Sequence, residues 1–288
     1  MKRVHLRFPP FALLLLAALA LAAGTALLFA IAVGQGAPAH VAGFLLSACT
    51  STSQFAGGVI SLTLLSLPLL IVSAGLAHGV RVRFRTRDVV SRLAPTNDQL
   101  PRELERAAAE AGLADRVDVA QTAELVACTY RLWRPRVLVS AGAVMVMTPA
   151  ELAAVLAHEA HHVRCRDPLR VYITEVVRGA FIPLPLLGNL ARHFAESSEL
   201  AADRYAMTRA GRRPLAAALV KFLESPRPAA MPCLALERAH DSRVAHLLEP
   251  DSFRHELLLE DRAIRRTACT LAAVGLLTAA FTALPPML

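Results

Sequence analysis

No Asp, Glu, Lys or Arg occurs between Arg7 and Arg81. A helix that crosses a bilayer needs about 20 predominantly apolar residues. Residues 11–33 form one such run, and residues 60–76 with neutral flanks form a second, over about 57–79. The uncharged Gly/Ser/Thr-rich residues 34–54 between them read as a short exposed turn. Met1-Lys2-Arg3 would suit a cleaved leader, but the first apolar run far exceeds the roughly 7–15-residue core of one. A second apolar run also follows it. Two uncleaved transmembrane helices within residues 1–80 are therefore expected. A hydrophobic content of 55% and a positive mean hydropathy of +0.45 fit that class and exclude an ordinary soluble domain.

Residues 268–284 form a third apolar run after Arg262, Arg265 and Arg266, and Pro285-Pro286 end it. We expect a C-terminal transmembrane helix over 265–288; a helix packed on the domain between the spans is the alternative. Lys2, Arg3 and Arg7 precede the first span, and Arg81, Arg83, Arg85 and Arg87 follow the second. The loop between has no such charges, so both basic flanks belong on the cytoplasmic side. The reading is a multi-pass plasma-membrane protein whose residues 81–264 form a cytoplasmic domain. The formal charge of +8 comes partly from these flanks, which suit the lipid bilayer as partner. No zinc-finger or RNA-binding aromatic pattern accompanies them, so no nucleic acid is expected.

Inside that domain, His158-Glu159-Ala160-His161-His162 reads H-E-x-x-H. Residues four apart share a helical face, so His158 and His162 can grip one metal ion. Glu159 beside them can take a proton from a metal-activated water. Thr148-Pro149-Ala150-Glu151 has the form of a capping box with proline at the first helical position. Leu152, Val155, Leu156 and Ala160 then recur at helical spacing, and Asp167-Pro168 closes the element. A surface histidine cluster is the competing reading, but the motif would then interrupt an otherwise apolar side.

Catalytic zinc usually takes three protein ligands and keeps one position open. Glu199 and Asp203 are four apart on a second helical pattern. Glu199 is the expected third ligand, and Asp203 would receive a histidine N–H and fix its tautomer. A solvated acidic face is the alternative, which suits Glu196 better because Leu200, Ala201 and Ala202 separate the other two. Asp167 is either a similar histidine partner or only a helix terminator. His161 points off the ligand face. One Zn²⁺ per chain is the cofactor expected.

The run from Leu156 to Asp167, followed by Glu199-x-x-x-Asp203, resembles the integral-membrane gluzincin peptidases. One branch holds the BlaR/MecR-type antibiotic-sensor peptidases, the other the CAAX prenyl proteases and HtpX-like quality-control proteases. Residues 181–190, leading into Glu199, are similar to the aromatic-x-Pro-Leu segment of the BlaR/MecR branch. The resemblance implies zinc, Glu159 as general base, and a mainly α membrane protein with an α+β zincin-type protease domain between its transmembrane helices. No penicillin-binding sensor domain follows the last apolar run, so direct antibiotic sensing is not expected.

The function implied is a zinc endopeptidase acting on a repressor-like regulator or a membrane-associated protein. The alternatives are HtpX-like degradation of damaged membrane proteins and a non-catalytic signalling protein that holds zinc for its fold. The partner would be a protein or peptide substrate. Arg243-Val244-x-x-Leu247 is similar to an R-[IV]-x-x-L element of these peptidases, which makes Arg243 a candidate for oxyanion support beside the plainer reading of a surface salt bridge.

The rest of the domain reads as a helix over 98–111 and strands over 117–120, 125–130 and 136–140. By resemblance, residues 137–140 are the edge strand that pairs with substrate; a plain core strand is equally compatible. Trp133, the only tryptophan, is read as packing. Glu175, Arg178, Pro183 and Pro185 break the apolar tract 171–190, so a re-entrant hairpin fits there better than a span. Cys128, Cys165 and Cys233 would lie in the reducing cytoplasm and have no zinc-framework spacing, Cys49 alone is exported, Cys269 lies in a span, and no disulfides are expected.

Overall fold

The computed structural model describes residues 2–4, 10–34, 52–93, 95–96, 100–182, 184–225, 240–248, 257–259 and 261–283. In chain order the elements are β1 (Lys2–Val4), α1 (Pro10–Gly34), α2 (Thr52–Arg92), α3 (Arg102–Glu110), β2 (Val117–Ala120), β3 (Ala127–Tyr130), β4 (Arg136–Ser140), α4 (Ala141–Val146), α5 (Pro149–Cys165), α6 (Asp167–Ala180), α7 (Pro185–Ala210), α8 (Arg212–Glu224), α9 (His240–Leu248), β5 (Leu257–Leu259) and α10 (Asp261–Thr282). This is a mainly α-helical, multi-span membrane protein with a small β-sheet region between the apolar helices. Phe11–Ile31, Ser61–Arg92 and Asp261–Ala280 are each long and apolar enough to cross a membrane. The turn expected over 34–54, Cys49, Cys233 and Pro183 fall largely or wholly outside the described residues.

The chain folds as two compact units, one of Met1–Gly79, Thr174–Ala191 and Glu256–Leu288, the other of Val80–Ile173 and Arg192–His255. The first unit holds most of the apolar helix. Its leucines face outward: Leu19 is 65% exposed, Leu69 71% and Leu276 72%. A helix apolar on all sides suits lipid rather than water. Leu14 and Ala18 of α1 pack with Phe181, Leu184 and Leu187. Gly179 lets α6 approach α2 closely, because a Cβ there would fall 2.3 Å from the His78 Cβ. Beside that crossing the Glu175 carboxylate takes hydrogen bonds from His78 Nε2 at 3.0 Å and Arg178 Nε at 3.1 Å. Residues 171–190 are the end of α6, a turn and the start of α7 rather than one span.

Two boundaries differ from expectation. Helix α2 does not end near residue 79 but continues to Arg92, so the arginines at 81–87 are helical and not a linker. Extending a formed helix costs far less than nucleating one. For the same reason α10 starts at Asp261, before the apolar residues begin.

The second unit builds a three-stranded sheet in the order β2-β4-β3. Strand β4 pairs in parallel with β2 (Val117 opposite Val137) and antiparallel with β3 (Cys128 opposite Leu138). It is therefore central, which corrects the edge-strand expectation for residues 137–140. Both of its sides are already hydrogen-bonded, so no substrate strand can be added there. Thr96 bridges to Val119 on the outer side of β2, and β3 forms the opposite edge. Helix α3 starts at Arg102, later than expected, after Pro101 at its N-cap, and Gly112 (φ +73°) follows its end. Its Leu104 and Ala108 join Val117, Val137 and Val139 in one core with Leu152, Val155, Leu156 and Ala160 of α5. Trp133 is not packing, being 75% exposed at the β3–β4 turn.

A buried ionic cluster ties the three strands. Arg136 of β4 forks onto Asp118 of β2, Nε to Oδ2 at 2.7 Å and Nη2 to Oδ1 at 2.6 Å. The Tyr130 hydroxyl of β3 donates to the same carboxylate. Burial works against the Asp118 charge, but Arg136 and Tyr130 outweigh it and hold the carboxyl below its usual range. Asp118→Ala should destabilise the protein by about 3 kcal/mol, since it strands Arg136. A group depressed on folding stabilises above its unfolded pKa, and that contribution fades as pH falls through the folded value. The gap between wild type and variant in thermal denaturation should thus narrow below about pH 4; a gap independent of pH contradicts this assignment.

Candidate metal centre

Helix α5 carries the motif, and its start is fixed locally. Thr148 Oγ1 accepts from the Glu151 N–H at 3.3 Å, and the Glu151 carboxylate accepts from the Thr148 N–H at 2.7 Å. The expected capping box is present, and Lys221 Nζ adds a third bond to Glu151 at 2.6 Å. The far end differs in detail. Arg166, not Asp167-Pro168, stops the helix by taking a left-handed conformation (φ 54°). Asp167 and Pro168 then begin α6.

That left-handed residue turns Asp167 back toward the motif. Its Oδ2 lies 2.7 Å from His162 Nδ1 and accepts from Ser198 Oγ at 2.6 Å. On the other histidine, Asp203 Oδ1 lies 2.9 Å from His158 Nδ1, an ion-pair contact not aligned as a hydrogen bond. Each ring therefore has a carboxylate at Nδ1 and turns Nε2 inward, the orientation a metal-binding imidazole needs.

The two Nε2 atoms are 3.1 Å apart. Glu199 of α7 closes the triangle, with Oε2 3.4 Å from His158 Nε2 and Oε1 3.6 Å from His162 Nε2. Four ligands placed tetrahedrally about 2.0–2.2 Å from one zinc stand about 3.3–3.6 Å apart. His158, His162 and Glu199 are all buried, and Glu199 Oε2 has no hydrogen-bond donor. A buried carboxylate oxygen with no hydrogen-bond donor, facing two inward imidazole nitrogens, is a donor set that a cation would satisfy. The residues present fit zinc.

Arg243 of α9 is neither exposed nor a surface ion pair. It is 5% exposed, and its Nε and Nη2 reach the two Asp203 oxygens at 2.8 and 2.7 Å. Its Nη1 is 3.4 Å from Glu199 Oε2. Burial raises the Glu199 and Asp203 carboxyls, yet the histidines and Arg243 outweigh it, holding Glu199 down at about 2 and Asp203 well below its usual range. For His158, burial and Arg243 oppose a charge, but Asp203 and Glu199 prevail and lift the imidazole to about 9.

Glu159 is buried next to this triangle, and Thr129 Oγ1 donates to its Oε2 at 2.7 Å. Thr129 belongs to β3, so the edge strand lies directly against the motif. An apolar cleft beside His158 and Glu159 is lined by Val155, Leu215, Leu219 and Phe222. Sequence reasoning missed Thr129 and Ser198. Ser198 adjoins Glu199 and could have been suspected; Thr129 carries no local signal. His161 stays off the triangle, 3.5 Å from Cys165 Sγ and 5.6 Å from the Tyr205 ring. His246 is buried in α9 outside the metal-capable group, and the side chain of His240 lies outside the described residues.

A family model described as BlaR1 peptidase M56 matches residues 41–246, well over half of the chain. The chain is also similar to a protein named Protease HtpX homolog from Acidiphilium cryptum (strain JF-5), 31% identical over 134 residues. That alignment takes in 45% of this chain and 43% of the relative, so the chain spans under half of that protein's length. The chain belongs to the BlaR1 M56 family of membrane peptidases and is related to the HtpX-like metallopeptidases.

Proposed function

We propose that this protein is a membrane-anchored zinc endopeptidase. The observation that carries the reading is the convergence of His158 Nε2, His162 Nε2 and a donorless Glu199 oxygen at ligand spacing. When bound there, the ion supplies Lewis acidity to the scissile carbonyl and to the attacking water. Glu159, oriented by Thr129, accepts the proton of that water and passes it to the leaving amine. Asp167 and Asp203 hold the histidine rings, and Arg243 holds Asp203. Arg243 is thereby a positioning residue through its Nε and Nη2, while its Nη1, at the cleft beside His158 and Glu159, remains the candidate for oxyanion support. An extended substrate adds to the β3 edge and rests an apolar side chain in the cleft of Val155, Leu215, Leu219 and Phe222. The site faces the cytoplasm, in line with the basic flanks of the spans.

Of the possible substrate classes, damaged or misassembled membrane proteins are better supported than a single repressor-like regulator, because of the similarity to the HtpX homolog. The site also argues against a purely structural zinc: a closed structural centre has no use for Glu159 and would fill all four positions. Capture on the full-length Glu159→Gln variant in its native membrane separates these readings. A varied set of membrane proteins, enriched after heat stress, is expected. One dominant soluble regulator would favour the repressor reading, and no enrichment over an empty-membrane control would contradict peptidase function.

A further inference from the structure

In the first unit, which holds none of the metal-capable triangle, Arg262, Arg265 and Arg266 of α10 line a groove with Ile182, Pro185, Cys269 and Thr270. Arg262, Arg265 and Arg266 are spaced i, i+3 and i+4, so all three project from one helical face. All three are exposed, and no carboxylate among the described residues pairs with any of them. Like charges at this spacing destabilise a helix, so the arrangement calls for an anion. The groove has a fixed wall as well as charge. The Leu186 N–H of α7 donates to Thr267 Oγ1 at 3.3 Å, which joins the first turn of α7 to α10 beside the arginines.

What lies further along the same face identifies the anion. Ile182 is 71% exposed at the groove's rim. Cys269 and then Leu276, 72% exposed, continue the arginine stripe into the apolar span Asp261–Ala280. A ligand that fits both halves carries a phosphodiester beside the arginines and a hydrocarbon chain along α10. We propose that this groove is a binding site for the headgroup of an anionic phospholipid, with Arg262, Arg265 and Arg266 on the phosphate and an acyl chain lying on α10 past Leu276. General attraction of basic flanks to acidic membranes would treat all arginines near the spans alike; a built site singles out these three.

The test uses the delipidated full-length protein in neutral detergent, with bound lipid counted by native mass spectrometry. Phosphatidylglycerol should bind at least about 10-fold more tightly than phosphatidylcholine of the same acyl chains, because the quaternary ammonium of choline is repelled by the arginines that hold the shared phosphodiester. R262Q/R265Q/R266Q should abolish that preference, whereas R81Q/R83Q/R85Q, which removes equal charge near another span, should keep it. Equal loss in both triple variants, or no preference in the wild type, overturns the proposal. Displacement of the lipid by millimolar inorganic phosphate would mark a free-anion site and overturn it too. Thermal melts of both variants with and without phosphatidylglycerol separate misfolding from lost binding, because only a folded R262Q/R265Q/R266Q protein melts cooperatively yet gains no stability from the lipid.

Discussion

Glu159→Gln leaves the fold and the metal content intact and lowers proteolysis by about 10²–10⁴-fold, the usual share of a general base. The amide keeps the size of the carboxylate and its bond from Thr129 Oγ1, now at 2.7 Å, but it cannot take a proton. His158, His162 and Glu199 are untouched by the change, so a zinc held by them should stay. Digestion of casein by purified protein in detergent, alongside metal quantification, reads both halves at once. Retained cleavage in the variant contradicts the role given to Glu159. Loss of zinc together with activity would mean that the side chain acts as a ligand instead.

Arg243→Met is the second large effect. Asp203 is fully buried and takes two guanidinium bonds, and Glu199 faces the same cation. Removing one partner of such a buried network costs about 3–5 kcal/mol because the remaining charges lose their counter-ion. With Asp203 loose, the His158 ring loses its orienting carboxylate, and zinc affinity falls about 10–100-fold. Lysine does not rescue, since a point charge cannot reproduce the planar fork. Thermal denaturation without metal and zinc titration in a competing chelator measure the two losses separately. A variant that melts like wild type would place Arg243 outside the framework of the site.

Much of this centre is legible in the chain itself. The capping box at Thr148 and Glu151, the pairing of His158 with His162, and the third carboxylate at Glu199 follow from spacings of three and four residues along single helices. Features that depend on chain reversal are less legible, and Asp167 and Arg243 each read from sequence as one of two alternatives. Asp167 reaches His162 because Arg166 adopts a left-handed turn, which a bulky arginine rarely signals. Arg243 meets Asp203 at a sequence separation of 40. Strand order is likewise non-local, yet Val137-Leu138-Val139 is a continuous apolar run, the mark of a strand covered on both faces. That run argues for burial on both faces, whereas the central place of β4 rests on its pairing with β2 and β3. The alternating Arg81-Val82-Arg83-Phe84-Arg85 looks strand-like or linker-like by pattern alone, and becomes helix because α2 arrives already formed.

The most direct test is the zinc content of the full-length protein, purified without added chelator and measured by inductively coupled plasma mass spectrometry. Wild type and Glu159→Gln should each carry about one zinc per chain, and H158A, H162A and E199A should each carry far less, because two protein ligands do not hold a catalytic zinc. A full complement of zinc in folded E199A would show that the α7 carboxylate does not bind the ion and would contradict the account.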